Sequence, residues 1–187
     1  MIVLGVDWSL TSPAITSHDT ETKLTKFFAF KQRKKDESHD ENLILLDYPE
    51  FTSDEDRYHQ LASRIFNAIK TNHGIPSKAF FESYAFGGSG AVFNIAESTG
   101  IMKNTLHING CTVEKIAPTA IKKFATQSGK ATKRNMLSAF MNEGLDPFKM
   151  LDVLDKGGEK IPSPISDIVD SYFALKAGLS TMPLEHV

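Results

Sequence analysis

Residues 2–6 place the strongest constraint on what this chain can fold into. Ile2-Val3-Leu4-Gly5-Val6 is a nearly continuous apolar run with one glycine inside it, the pattern of a β-strand buried on both faces. Such a strand needs further layers packed on each side, and it closes on a charge, Asp7. With 187 residues, 41% of them hydrophobic and 24% charged, the chain can bury one substantial core, so residues 1–187 are expected to form one domain.

After the turn-like Thr11-Ser12-Pro13, Ala14 to Ser17 pairs back as a second strand and Leu24 to Phe30 as a third, an antiparallel meander. Residues 31–52 lack sustained periodicity apart from Leu43 to Leu46 and read as a charged excursion. Ser53 then precedes an amphipathic helix with an acidic first turn and with Tyr58, Leu61, Ile65, Phe66 and Ile69 at helical spacing, ending at Asn72-His73-Gly74. Ala79-Phe80-Phe81 leads into Glu82 as a short strand, and the glycine-rich residues 87–90 separate it from a helix bearing Ile95, Thr99, Met102 and Leu106 on one face. Thr112 to Ile116 is a fifth strand. Pro118 opens a short helix, Thr132 caps another, and a last helix runs from about Ser166 to Gly178. This order predicts an α/β domain with a mixed central sheet of about five strands, the first three antiparallel, flanked by helices.

The formal charge of −2 hides a polarised chain. Residues 36–56 hold nine carboxylates and no Lys or Arg, leaving 14 acidic against 21 basic residues elsewhere, a balance of +7. From Lys115 to Asn142 there is no Asp or Glu, while Lys115, Lys122, Lys123, Lys130, Lys133 and Arg134 fall there. A basic stretch of this kind is the electrostatic footprint of a nucleic-acid surface, although solvated faces also cluster charge. A single cysteine, Cys111, rules out an internal disulfide scaffold. The absence of a basic leader and of any apolar stretch near the roughly 18 to 20 residues of a membrane helix points to a cytoplasmic protein with no membrane partner.

The chemistry lies in the acids. Asp7 and Glu82 each end an apolar strand, and Asp167 and Asp170 stand three apart on one face of the last helix, with the small residues Ser171, Ala174 and Gly178. Small neighbours let that helix approach the strand ends closely, so the four carboxylates could converge. Two unpaired carboxylates about 5 Å apart repel by roughly 3 kcal/mol at an effective dielectric constant near 20, so such a cluster needs protons or cations. Hard divalent cations meet that need, because Mg²⁺ prefers oxygen ligands, and a pair of them supports phosphodiester hydrolysis. Taken singly, each acid also has an ordinary reading: Asp forms turns at strand ends and complements the dipole in a first helical turn.

With these residues in view, the chain resembles RuvC-like Holliday-junction resolvases within the RNase H-like (retroviral-integrase-like) nucleases. The resemblance rests on Leu4-Gly5-Val6-Asp7, Phe81-Glu82-Ser83-Tyr84, Lys122-Lys123-Phe124 leading to Gly129-Lys130-Ala131-Thr132-Lys133, and Ser166-Asp167-Ile168-Val169-Asp170-Ser171, in that order over most of the chain. It implies an RNase H-like fold and a Mg²⁺-dependent endonuclease, with Mn²⁺ able to substitute, that acts as a homodimer on four-way DNA junctions by paired nicks. Asp7, Glu82, Asp167 and Asp170 fall at the family's metal-binding positions, and Lys133, with Lys130 beside it, at that of the basic residue near the scissile phosphate. Tyr84 and Phe86 fall where the family places aromatics at the opened junction centre, where stacking on a base is worth about 1 to 3 kcal/mol; core packing is the competing reading. The helix after the glycine-rich loop is the family's dimer surface.

Residues 36–56 are longer and more acidic than expected of a cellular resolvase, which points to a divergent member from a phage or other virus, acting in the host cytoplasm. Nothing in the sequence identifies a branch-migration motor as partner. Two other functions compete. A strand ending in Gly-Val-Asp also opens actin-like and sugar-kinase-like ATPases, although no second phosphate hairpin or adenosine motif is evident. A non-catalytic junction binder, or a relative specific for RNA:DNA hybrids, would share the fold.

Overall fold

The computed structural model describes residues 1–83, 91–155, 157–158 and 160–183. Its strands are β1 (Ile2–Asp7), β2 (Ala14–Asp19), β3 (Thr25–Phe30), β4 (Leu43–Leu46), β5 (Pro76–Glu82) and β6 (Thr112–Ile116). Its helices are α1 (Asp54–Asn72), α2 (Ala91–Ile108), α3 (Pro118–Thr126), α4 (Lys133–Asn142), α5 (Pro147–Met150) and α6 (Ile165–Leu179). Among the described residues the strands form one six-stranded sheet in the order β4-β3-β2-β1-β5-β6. Strand β2 runs antiparallel to both of its neighbours, and the β1–β5, β5–β6 and β3–β4 pairs are parallel. The C-terminal ends of the other five strands therefore share one edge of the sheet.

The RNase H-like expectation of a mixed sheet with an antiparallel opening matches this topology, with one addition. The excursion expected at residues 31–52 contains β4, which pairs with β3 in the register Phe27↔Leu43 to Phe30↔Leu46. The apolar run Leu43 to Leu46 is visible in the sequence, but four residues are too few to tell a strand from a helical segment. What recruits them is the otherwise open edge of β3 and burial of Leu43 in the core. The four-residue helix α5 has no counterpart in the sequence reading; Asp146 caps it by accepting from the backbone amides of Phe148 and Lys149.

The local signals explain where the helices begin. Ser53 accepts from the Asp56 amide ahead of the acidic first turn of α1, and Thr132 and Asn135 form a reciprocal capping box on α4. Each side of the sheet buries its own apolar layer. Ile2, Leu4 and Val6 pack with Leu61, Ile65 and Ile69 of α1 and Met102 and Leu106 of α2. On the other side Val3 and Phe80 meet Leu175 of α6, and α3 and α4 pack outside that helix. Helix α6 is thus enclosed on both sides, and Ile165, Ile168, Phe173 and Ala174 are at most 1% exposed.

Two glycines permit this enclosure. A Cβ on Gly5 would collide with the Ser171 carbonyl oxygen and with the Leu175 amide and Cβ, and one on Gly178 would run into the Phe80 ring. The obstruction at Gly5 is largely backbone, so no rotamer change relieves it. Gly5→Ala is therefore expected to destabilise the fold by about 3 kcal/mol, at the upper end of ordinary overpacking costs, as read from the urea midpoint.

Candidate functional site

The hydrogen-bonded pairing of β1 with β5 reaches the register Val6↔Phe81, so the next residues on the two parallel strands are Asp7 and Glu82. Adjacent strands stand about 4.8 Å apart, which makes their side chains neighbours. Strand alternation decides where they point. Val6 and Phe81 enter the layer under α1 and α2, whereas Gly5 and Phe80 contact α6, so Asp7 and Glu82 take the α6 side. Helix α6 meets that side through Gly178 and Ser171, with Asp170 adjacent to Ser171 and Asp167 one turn earlier. Thr16 of β2 and Ser171 of α6 share a 2.8 Å hydrogen bond that fixes the helix over the sheet.

Asp7 is within reach of the charges of the other three acids, and Asp170 acts on Glu82 as well. Burial pushes the Asp7 carboxyl well above the usual carboxylate range, and the charges of Asp170, Asp167 and Glu82 push it further, against a smaller opposite pull from Lys133. Asp7 is half-buried, and the strands and helix packed round it strip much of its hydration. Glu82 is raised by burial and by Asp170, with Lys122 and Lys133 opposing. Asp170 is raised by burial and by Asp167, with Lys133 and Lys122 opposing. Lys133 has its ammonium 3.5 Å from Asp170 Oδ2. Its own pKa is lowered by desolvation and raised by Asp170, Asp167 and Asp7, and the acids prevail.

Repulsion of this kind is a demand for positive charge, and an all-carboxylate donor set fits a hard divalent cation. Among the described residues no three His, Cys, Asp or Glu side chains already stand together as ligands of one ion. Two of the acids have other partners. Asp170 faces Lys133, and Asp167, 7% exposed, accepts from Ser12 Oγ at 2.8 Å. Ser12 also lies 3.1 Å from Ser163 Oγ, which links the turn after β1 to the segment preceding α6. In the sequence Thr11-Ser12-Pro13 carries only the pattern of a turn. Its place beside Asp167 depends on a contact across 155 residues, for which the local pattern carries no signal.

The basic residues divide. Lys122 of α3 and Lys133 of α4 act on the carboxylates. Lys123 and Lys130 are exposed, Lys130 beside Ser128 and Asn135 in a shallow recess between α3 and α4. Lys115 is not brought to the site: its register partner Phe81 faces the α1 and α2 layer, and its charge acts on Lys103 of α2. Arg134 makes a two-nitrogen contact to Asp155 and also donates to the Gly158 carbonyl. Tyr84, Phe86 and the glycine-rich residues 87–90 lie outside the described residues.

The raised Asp7 pKa sets a stability test with a definite sign. Folding lifts it above its unfolded value near 3.9, so wild-type stability falls as pH rises past the ordinary Asp range and is unpenalised below it. Asp7→Asn is expected to melt higher than wild type at pH 7 in chelator, with the gap closing toward pH 4. Adding Mg²⁺ should raise the wild-type melting temperature more than that of the variant. Scanning calorimetry across pH checks both statements.

No protein-family model matches the chain, and no curated protein matches it. Solved structures do. Thermus thermophilus RuvC aligns at TM-score 0.59 and 13% identity over 96% of both chains. T. thermophilus RuvC in complex with a Holliday junction substrate aligns at TM-score 0.62 and 13% identity over 97% of both chains. The yeast mitochondrial Holliday junction resolvase Ydc2 aligns at TM-score 0.53 and 13% identity, over 94% of this chain and 76% of that one. The sheet order, the enclosed last helix and these alignments together give this chain the RuvC-like fold of the Holliday-junction resolvases.

Proposed function

We propose that this chain is a metal-dependent, structure-selective DNA endonuclease that resolves four-way junctions by paired nicks. The observation that carries this reading is the electrostatic coupling of Asp7, Glu82, Asp167 and Asp170, with Lys133 and Lys122 beside them, on the α6 side of the sheet edge. The fold shared with RuvC, whose structure includes a complex with a Holliday junction, supports the choice of substrate.

The four carboxylates would hold Mg²⁺, or Mn²⁺ in its place. Bound there, the cations supply Lewis-acid stabilisation for hydrolysis of a phosphodiester. The protein's own groups do the rest. Lys133, 55% exposed along its side chain, and the half-buried Lys122 carry fixed positive charge to the mouth of the site, where they would hold a phosphate and offset charge developing on its oxygens. Ser12 donates a hydrogen bond to Asp167 and so would keep one of its oxygens engaged and help orient the carboxylate. Lys123 and Lys130, exposed beside them, extend the basic surface along which the DNA backbone would run. Tyr84 and Phe86, two and four residues beyond Glu82, are proposed to stack on bases of the opened junction.

Two like cuts call for two sites, and we assign the dimer surface to α2. Phe93 and Ile108 on that helix are 76% and 71% exposed, large apolar side chains that a second copy would cover. Phe93→Asp is then expected to convert a dimer to a monomer in sedimentation velocity and to abolish paired nicking.

The decisive assay is cleavage of a synthetic four-way junction, compared with flap, fork and RNA:DNA hybrid. Wild type should nick the junction with Mg²⁺ or Mn²⁺ and not in chelator. Asp7→Asn should bind it yet cut at least about 10³-fold more slowly, and Lys133→Ala about 10²-fold more slowly. Wild-type cutting by Asp7→Asn would end the site assignment, and preferred cleavage of the hybrid would reassign the substrate.

A further inference from the structure

The C-terminal ends of five strands share the edge that carries Asp7 and Glu82, and one of them, β3, runs directly into Lys31-Gln32-Arg33-Lys34-Lys35. Strand β3 stands two strand spacings, roughly 10 Å, from β1. The charge of this turn is held by a buried acid. Asp36, 2% exposed, accepts from the backbone amides of Gln32 at 3.1 Å and Arg33 at 2.9 Å, and from Arg33 Nε at 2.6 Å. Arg33 reaches on to the Asp152 carbonyl, and Gln32 Nε2 donates to the Thr11 carbonyl at 3.2 Å. The neighbour of Thr11 is Ser12, the residue bonded to Asp167. The turn is thus braced against the same loop that orients an acid of the site.

This bracing leaves two cations over. Asp36 meets Arg33, and Lys31 pairs with Asp47 at 2.9 Å. Lys34 and Lys35 are exposed, and neither forms an ion pair with a carboxylate of the described residues. Glu37 follows them, also exposed, and lowers the local positive charge without pairing with either. Beside the turn lies a recess of about 500 Å³ lined by Lys31, Gln32, Arg33, Lys34, Asp47 and Tyr48. Crowding four cations into five residues costs repulsion in the free protein, and a buried carboxylate spent on holding them rigid lowers the ordering cost of a polyanion docking there.

We infer that the Lys31–Lys35 turn is a second DNA contact, a clamp for backbone phosphates of an arm leaving the site across β2 and β3, with Lys34 and Lys35 making the contacts. It rests on the nuclease reading for its substrate but not on the carboxylates for its binding. The clamp adds affinity and orientation without touching the reacting phosphate.

The test measures junction binding in chelator by fluorescence anisotropy across NaCl concentrations, and single-turnover cleavage in Mg²⁺ at saturating protein. For Lys34→Ala/Lys35→Ala the slope of log Kobs against log salt should fall by about 1.8, at about 0.9 per phosphate contact, while saturated cleavage stays within about twofold of wild type. Lys23→Ala/Lys70→Ala removes two exposed lysines, one in the β2–β3 turn and one in the last turn of α1, away from the edge that carries Asp7, and should leave the slope unchanged. A wild-type slope in Lys34→Ala/Lys35→Ala, or an equal loss in the control pair, overturns the clamp. Wild-type protein that binds with the full slope but never cuts overturns the nuclease reading and leaves the clamp standing.

Discussion

The contact between Gly5 and helix α6 is the constraint on which the rest of the structure depends. A strand and a helix normally keep their backbones apart by the thickness of a side chain. Here the missing Cβ at Gly5, and the one at Gly178 against Phe80, let α6 settle with its backbone on the sheet. That descent encloses α6 between the sheet and helices α3 and α4. It also brings Asp167 and Asp170 down to the ends of β1 and β5, where a helix one side-chain layer higher would leave Asp7 and Glu82 to solvent. Fold and site are therefore consequences of one close approach.

The same approach creates an unfavourable cluster. Burial and mutual repulsion raise Asp7, Glu82 and Asp170, and the protein relieves the strain only in part, with Lys133 against Asp170 and Ser12 against Asp167. A chain selected for stability alone would have little reason to retain such a group. Local electrostatic conflict inside an otherwise consistent fold is characteristic of functional sites.

Sheet topology determines what surrounds the cluster. Because among the described residues β2 alone runs against its neighbours, five strand ends and the loops that follow them open on one edge. The loop after β1 carries Ser12, the segment after β6 leads to Lys122, and the turn after β3 carries the basic run braced by Asp36. Positive charge thus flanks the carboxylates on both sides along the edge. The acidic reach of residues 36–56 is less uniform than its composition implies: Asp36 is buried under the basic turn, Asp47 is paired with Lys31, and Asp54 to Asp56 fill the first turn of α1.

Much of this was legible in the chain itself. The apolar run ending at Asp7, the spacing of Asp167, Asp170, Ser171, Ala174 and Gly178, the Ser53 and Thr132 caps and the antiparallel opening are local patterns, and local patterns follow from period, propensity and capping. Leu43 to Leu46 stands out as an apolar run inside the charged excursion, but four residues do not settle its structure, and its pairing as β4 is decided by the open edge of β3. The face on which Lys115 lies was hidden because strand parity is set by its neighbour Phe81, and the roles of Ser12 and Asp36 because each answers a distant or buried partner. The sequence alone determined which residues could bear charge, turn the chain or vanish from a packed surface. Only the tertiary structure decided which of those charges share a low-dielectric space, since the energy of a carboxylate depends on distances and desolvation that exist only once the chain has closed.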